Sequence, residues 1–232
     1  MSRALLVCAV PQARGIELVR DIAGEFDVVI GVDAGGAVCL RAGVTPMLVV
    51  GDFDSIDAAA LDEVARMGVP IRSYPTDKDR TDIDLAIGEA RDLGATEIAV
   101  TAATAERLDH TLGVVAALAG AGDLSPRLLE PDLNGWILSS AGHAAVTLDG
   151  IGATVSVLAL TPSARVSARG VRWPLELADI SSVSTMGISN VVSVNGAMIS
   201  VDAGIALVLS PRTDVAPAVE SRSPSNGTGT TR

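Results

Sequence analysis

The chain has 232 residues, 48% of them hydrophobic and only 2% aromatic, with a formal net charge of −11. That length accommodates one large domain or two modest ones, with cores built from Val, Leu, Ile and Ala. The acidic balance argues against a nucleic-acid partner and against a polybasic membrane patch, both of which depend on clustered Lys and Arg.

The first half alternates β-branched runs with segments of helical period. Strands are expected at Ala4–Val10, Val28–Val32, Met47–Val50, Ile71–Tyr74 and Glu97–Thr101, and helices over 13–24, 35–43, 57–67, 81–93 and 110–121. This order predicts an α/β domain over 1–124 with a parallel sheet covered on both faces. Cys8 falls in a strand and Cys39 in a helix, without metal-ligand spacing, so both read as core residues. Gly120–Pro126 reads as a boundary. Beyond it come only short strands, at Asn134–Ser139, Ala144–Leu148, Thr154–Ala159, Ala164–Ala168, Val191–Val194, Ala197–Val201 and Ile205–Leu209. They predict a separate antiparallel sandwich or barrel over 128–211. Residues 212–232 offer little apolar material and are expected to form a disordered tail. No apolar run reaches the ~18 residues of a membrane span. The N-terminus lacks the pattern of a secretory signal, so a cytoplasmic protein is expected.

In open α/β sheets, ligands bind beyond the carboxyl ends of the strands, and polar residues gather at those ends here. The second strand runs into Asp33-Ala34-Gly35-Gly36 and the third into Gly51-Asp52-Phe53-Asp54-Ser55. The fourth leads to Lys78-Asp79-Arg80-Thr81-Asp82 and the fifth to Arg107-Leu108-Asp109-His110. In an extended segment Asp52 and Asp54 point to one side, a pair of hard oxygen donors suited to Mg²⁺. A solvated turn capping the next helix near Asp57 is the plainer alternative. Thr81 or Asp82 is expected to cap the following helix. Capping does not explain the crowding of Asp77, Asp79, Asp82 and Asp84, which repel one another unless some meet a cation. Arg107 and His110 stand where a helix start favours phosphate, and an Arg fork grips phosphate bidentately.

These junctions, in order, resemble the thiamine pyrophosphokinase family, particularly its bacterial branch. The matching text is Val32-Asp33-Ala34-Gly35, Ala42-Gly43-Val44-Thr45-Pro46, GDFDS at 51–55, KDRTDIDLAI at 78–87, RLDH at 107–110, Gly170-Val171-Arg172-Trp173-Pro174-Leu175 and Gly187-Ile188-Ser189-Asn190. The resemblance implies a Rossmann-like N-terminal domain, a C-terminal β-sandwich, and a homodimer with thiamine near the subunit interface. It implies transfer of the pyrophosphoryl group of ATP to thiamine, with Mg²⁺ and release of AMP. Asp52, Asp54 and Asp82 would form the acidic metal and pyrophosphate set, with Asp109 in the same catalytic centre. Asp33, Gly35, Lys78, Thr81, Arg107 and His110 are the nucleotide-side candidates, and Ser189, Asn190 and Trp173 the thiamine-side ones. For Trp173, packing in a core poor in aromatics is the competing expectation.

The chain departs from the family at two places. Ala102-Ala103-Thr104-Ala105-Glu106 stands where the family has a glycine-rich stretch, and Val114 replaces a common Asn. Alanine resists the positive φ and the close backbone approach that glycine allows. A binding homologue without transfer activity is therefore the alternative reading. An aspartate-nucleophile phosphatase fits poorly, because Ile56 lies where Thr or Val is wanted and the Asp-x-Asp follows the third strand.

Overall fold

The computed structural model describes residues 2–9, 13–54, 56–77, 79–104 and 107–212. The candidate Lys78, Ser55, the Ala105-Glu106 pair and the expected tail from 213 onward lie outside the described residues.

The first half runs β1 (Ser2–Val7), α1 (Ala13–Ile22), β2 (Val28–Val32), α2 (Gly35–Arg41), β3 (Leu48–Gly51), α3 (Ala58–Arg66), β4 (Ile71–Ser73), α4 (Asp82–Asp92), β5 (Ala95–Thr101) and α5 (Leu108–Gly120). All five strands are parallel, in the order β5-β1-β2-β3-β4. Burial on both faces explains the apolar runs of β1, β2 and β3, whereas the edge strand β4 is Ile-Arg-Ser and largely exposed. Leu5 and Val7 of β1 pack with Leu18, Val19, Val38 and Cys39 of α1 and α2, while Ala4 and Leu6 pack with Ile83, Ala86 and Leu118 of α4 and α5.

The start of α2 lies unusually close to the sheet. A Cβ on Gly35 would collide with the Val7 carbonyl oxygen, and one on Gly36 would lie 2.9 Å from a Val49 methyl. The doublet thus lets the helix N-terminus settle between the ends of β1 and β3.

The second half contains β6 (Arg127–Glu130), β7 (Leu133–Ser139), β8 (Ala145–Leu148), β9 (Thr154–Ala159), β10 (Ser163–Arg169), β11 (Leu175–Ser181), β12 (Asn190–Val191), β13 (Ala197–Ala203) and β14 (Ile205–Pro211). A four-stranded sheet, β11-β10-β13-β8, faces β7, β9 and β14 of the first sheet. Inward residues alternate along the strands, as in Val155, Val157 and Ala159 or Ala197, Ile199 and Val201. The expected parallel α/β layer and antiparallel sandwich are both present.

Two strands escape sequence reading. Strand β6 is four residues long between Pro126 and Pro131, and it pairs parallel with β5, joining Thr101 to Leu129. It carries the first sheet straight into the second half, as one ten-stranded sheet in the order β12-β9-β14-β7-β6-β5-β1-β2-β3-β4. In β11 only Ile180 is fully buried, and Leu177 adopts φ 47° beside a register shift, so its alternation is broken. The strand expected at Val191–Val194 is limited to Asn190–Val191 and a bridge from Val192 to Val171.

Candidate active site

Among the described residues, six non-glycine positions have positive φ; three of them are at or beside candidate site residues, and a fourth opens the stretch where the sequence departs from the family. Asp33 (51°), Phe53 (61°) and Ala102 (53°) follow β2, β3 and β5, and Ser189 (61°) precedes β12. Left-handed backbone is unfavourable for residues with a Cβ, and such strain gathers where a site must be shaped.

Asp33 and the Gly51-Asp52 pair come together across β2 and β3. The Asp33 amide donates to the Val50 carbonyl at 2.8 Å, and a Cβ on Gly51 would lie 2.9 Å from the Asp33 Cα. The expectation that Asp52 and Asp54 share one side of an extended segment does not hold. Phe53 turns left-handed and packs against the Val49, Val64 and Val69 cluster, so strand alternation ends at Gly51. Instead the chain folds back, and the Asp54 amide donates to Asp52 Oδ1 at 3.3 Å. Asp52 is half-buried and Asp54 exposed. Gly51 is held from the other side by the Tyr74 amide, which donates to its carbonyl at 3.0 Å. The Tyr74 hydroxyl in turn donates to Glu89 Oε1 (2.9 Å), which also accepts from Arg72 (3.1 Å). That hydrogen bond to the buried Glu89 carboxylate raises the Tyr74 phenol above its ordinary pKa.

Helix α4 begins with a capping box. The Asp84 amide donates to Thr81 Oγ1, while the Thr81 amide (3.1 Å) and hydroxyl (2.7 Å) donate to Asp84 Oδ2. Capping thus accounts for Thr81 and Asp84, but not for Asp82 in the first turn. Asp82 lies near the end of β1: burial above all, then the negative charges of Glu130 and Asp82, push the Cys8 thiol up to about 12. Cys39 is likewise held protonated by burial, at about 12. Neither thiol is a nucleophile, as expected of core residues.

At the start of α5, Arg107 and Asp109 form a two-point ion pair, Nε to Oδ1 at 3.3 Å and Nη2 to Oδ2 at 2.6 Å. The hydrogen bond to Asp109 raises the Arg107 guanidinium, and the one from Arg107 lowers the Asp109 carboxyl below its ordinary pKa. Both side chains are exposed, so this pair adds little to stability. His110 is exposed on the same turn. Gly35 is buried, and its place is set by packing on Val7.

Sequence reasoning missed Glu130. It ends β6 beside the end of β5, is 6% exposed, and its Oε1 accepts from the Ala103 (2.8 Å) and Thr104 (3.1 Å) amides. The only signal was Leu128-Leu129 between two prolines.

A cleft of about 630 Å³ opens at the same edge between α2 and α3, lined by Ala9, Ala34, Ala37, Leu40, Ile56 and Asp57. A smaller cavity of about 170 Å³, lined by Arg3, Arg127 and Arg212, shares none of the candidate site residues. Among the described residues no three acid, His or Cys side chains lie close enough to hold an ion by themselves. The aspartate oxygens still suit Mg²⁺, which commonly takes one or two protein carboxylates and completes its shell with water and substrate phosphate.

The thiamine-side candidates form a second group. Asn190 is buried. Its Oδ1 accepts from the Trp173 (3.0 Å) and Val191 (2.9 Å) amides, and its Nδ2 donates to the Trp173 carbonyl at 2.7 Å. Trp173, against the packing expectation, is 54% exposed with the Arg172 guanidinium 5.0 Å from its ring. The Ser189 amide donates to Ser156 Oγ at 3.1 Å. This group sits at the β12 edge, eight places along the sheet from β3. It lies five places from β5, so at ~4.8 Å per strand the path along the sheet between the two groups runs from about 24 to about 38 Å.

Fold and sites define a two-part protein, an acid-edged doubly wound sheet running without a break into one layer of a β-sandwich. Residues 19–126 match the family model described as thiamin pyrophosphokinase, catalytic domain, and residues 145–206 that described as thiamin pyrophosphokinase, vitamin B1 binding domain. The chain belongs to the thiamine pyrophosphokinase family. A thiamine pyrophosphokinase of Bacillus subtilis (strain 168) is 35% identical over 99 residues, a match that spans 41% of this chain and less than half (46%) of the relative. The crystal structure of thiamine pyrophosphokinase from Bacillus subtilis superposes with a TM-score of 0.76 at 25% identity, over 90% of this chain and 98% of that one. That of thiamin pyrophosphokinase from Geobacillus thermodenitrificans gives 0.73 at 25% identity, over 90% and 97%. The Candida albicans thiamin pyrophosphokinase gives 0.75 at 13% identity over 91% and 89%, a likeness of fold alone.

Proposed function

We propose that this chain is a thiamine pyrophosphokinase that transfers the pyrophosphoryl group of ATP to the thiamine hydroxyl, yielding thiamine diphosphate and AMP. The observation that carries this reading is the gathering of Asp33, Asp52, Asp54, Asp82 and the Arg107–Asp109 pair at the carboxyl edge of one parallel sheet. The hydroxyl oxygen bonds to the β-phosphorus, the bond from that phosphorus to the α-phosphate oxygen breaks, and AMP leaves with the electron pair. Such transfers ask little covalent work of the protein, and positioning with charge neutralisation supplies most of the acceleration. Asp52, Asp54 and Asp82 are the carboxylates of which one or two would hold Mg²⁺, which when bound neutralises phosphate charge. Arg107, steered by Asp109, presents its outer face to phosphate oxygens. Asp82 and Asp109 are the candidate acceptors of the hydroxyl proton.

The active unit in this reading is a homodimer, in which the Trp173, Ser189 and Asn190 group of one chain completes the acidic edge of the other. Support comes from the separation of the two groups within one chain. The cytoplasm is the proposed compartment, in keeping with two free cysteines; among the described residues no helix is long and apolar enough to cross a membrane.

The test is AMP formation by purified protein with ATP, Mg²⁺ and thiamine, beside an Asp54→Asn control. Thiamine-dependent AMP release, lost in the control without loss of folding, is the expected result. Binding of both ligands without AMP would reject catalysis.

A further inference from the structure

A buried carboxylate outside every motif, Glu130, lies against Ala103 and Thr104, in one of the two places where the sequence departs from the family. Ala102 is left-handed and 2% exposed, and it directs the amides that follow it toward a common point, the geometry of an anion-binding backbone concavity. That point is filled by the protein itself: one oxygen of Glu130 accepts from both the Ala103 and Thr104 amides. Three residues after Thr104 the chain reaches Arg107, whose fork meets Asp109.

We propose that Glu130 is a positioning residue for the transfer reaction, an internal anion that occupies the Ala103 and Thr104 amides and so anchors the segment at the end of β5, three residues before Arg107. The inference rests on the pyrophosphokinase reading only for what the segment serves. It follows that these two amides do not cradle the nucleotide, and that Arg107 carries the phosphate contact at this corner. Burial pushes the Glu130 carboxyl up, and the amide hydrogen bonds offset part of that push. A carboxylate is tolerated in so buried a place only because it is hydrogen-bonded.

The test compares wild type with Glu130→Gln, which keeps the accepting oxygen, and Glu130→Met, which fills the space without one. Amide exchange at Ala103 and Thr104 is read together with the KM for ATP and for thiamine. Expected are protected amides in wild type and the Gln variant, both with similar KM for ATP. In the Met variant, loss of two hydrogen bonds to a charged group should speed exchange at these amides and raise the KM for ATP by about tenfold or more, leaving the KM for thiamine unchanged. A purely structural role would lower Tm without that split. The proposal is overturned if the wild-type amides exchange like exposed loop amides, a measurement that needs no variant to fold. It is overturned equally if the Met variant keeps the wild-type KM for ATP, or if Gln is as damaging as Met. Should wild type form no AMP, the functional reading fails, and the exchange comparison alone decides whether Glu130 holds the segment.

Discussion

Asn190 uses both ends of its side-chain amide to hold the Trp173 and Val191 backbone, and this leaves the Trp173 ring facing solvent. Removing it strands partly buried backbone groups, so Asn190→Ala should lose about 1 kcal/mol or more in urea unfolding and weaken thiamine binding. An unchanged unfolding midpoint would contradict the hydrogen-bond assignment. Asp109 makes the opposite kind of contribution. Its folded-state pKa is depressed by Arg107, so whatever stability it adds is present above the unfolded value of about 3.9 and is lost as pH falls through the lower folded value. Exposure keeps that contribution small, and the sharper check is the Asp109 carboxyl titration itself. Its midpoint should lie below the ordinary aspartate value and return toward it in Arg107→Gln. A midpoint at or above that value would show the pair to be absent in solution.

Helix α2 owes its position to Gly35 and Gly36, whose absent side chains let its first turn approach the ends of β1 and β3. Gly35→Ala would drive a methyl into the Val7 carbonyl and should destabilise the fold by about 1–3 kcal/mol, as overpacking does. A Tm equal to wild type would mean that α2 shifts freely. At this scale much was legible from pattern: Val28–Val32 and Thr154–Ala159 were read with their observed bounds, because buried and alternating strands leave plain periodicities. The capping box was half legible, since either Thr81 or Asp82 suits the cap, and only with Thr81 there does the three-residue spacing name Asp84 as the acid that answers it. The turn at Asp52-Phe53-Asp54 was misread because a left-handed Phe gives no glycine signal. Strand β6, and Glu130 with it, was hidden because four residues between prolines look like linker until β5 pairs with them.

Across the whole molecule, one sheet of ten strands carries the acidic group at one end and the Trp173 group at the other. Sequence motifs named both groups but not their separation, which depends on strand order, a long-range property that no local pattern encodes. If each site is shared between subunits, mixing Asp54→Asn protein with a Trp173→Ala variant, each inactive alone, should restore about a quarter of wild-type activity through hybrid dimers with one intact site. No recovery after subunit exchange would place both groups in a single chain's site. The account as a whole is tested most directly by following the phosphorus atoms. With ATP labelled at both the β and γ positions, and with thiamine and Mg²⁺, the account predicts both labels together in thiamine diphosphate and unlabelled AMP as the other product. Transfer of the γ label alone with release of ADP, or appearance of both labels only as free phosphate, would contradict it.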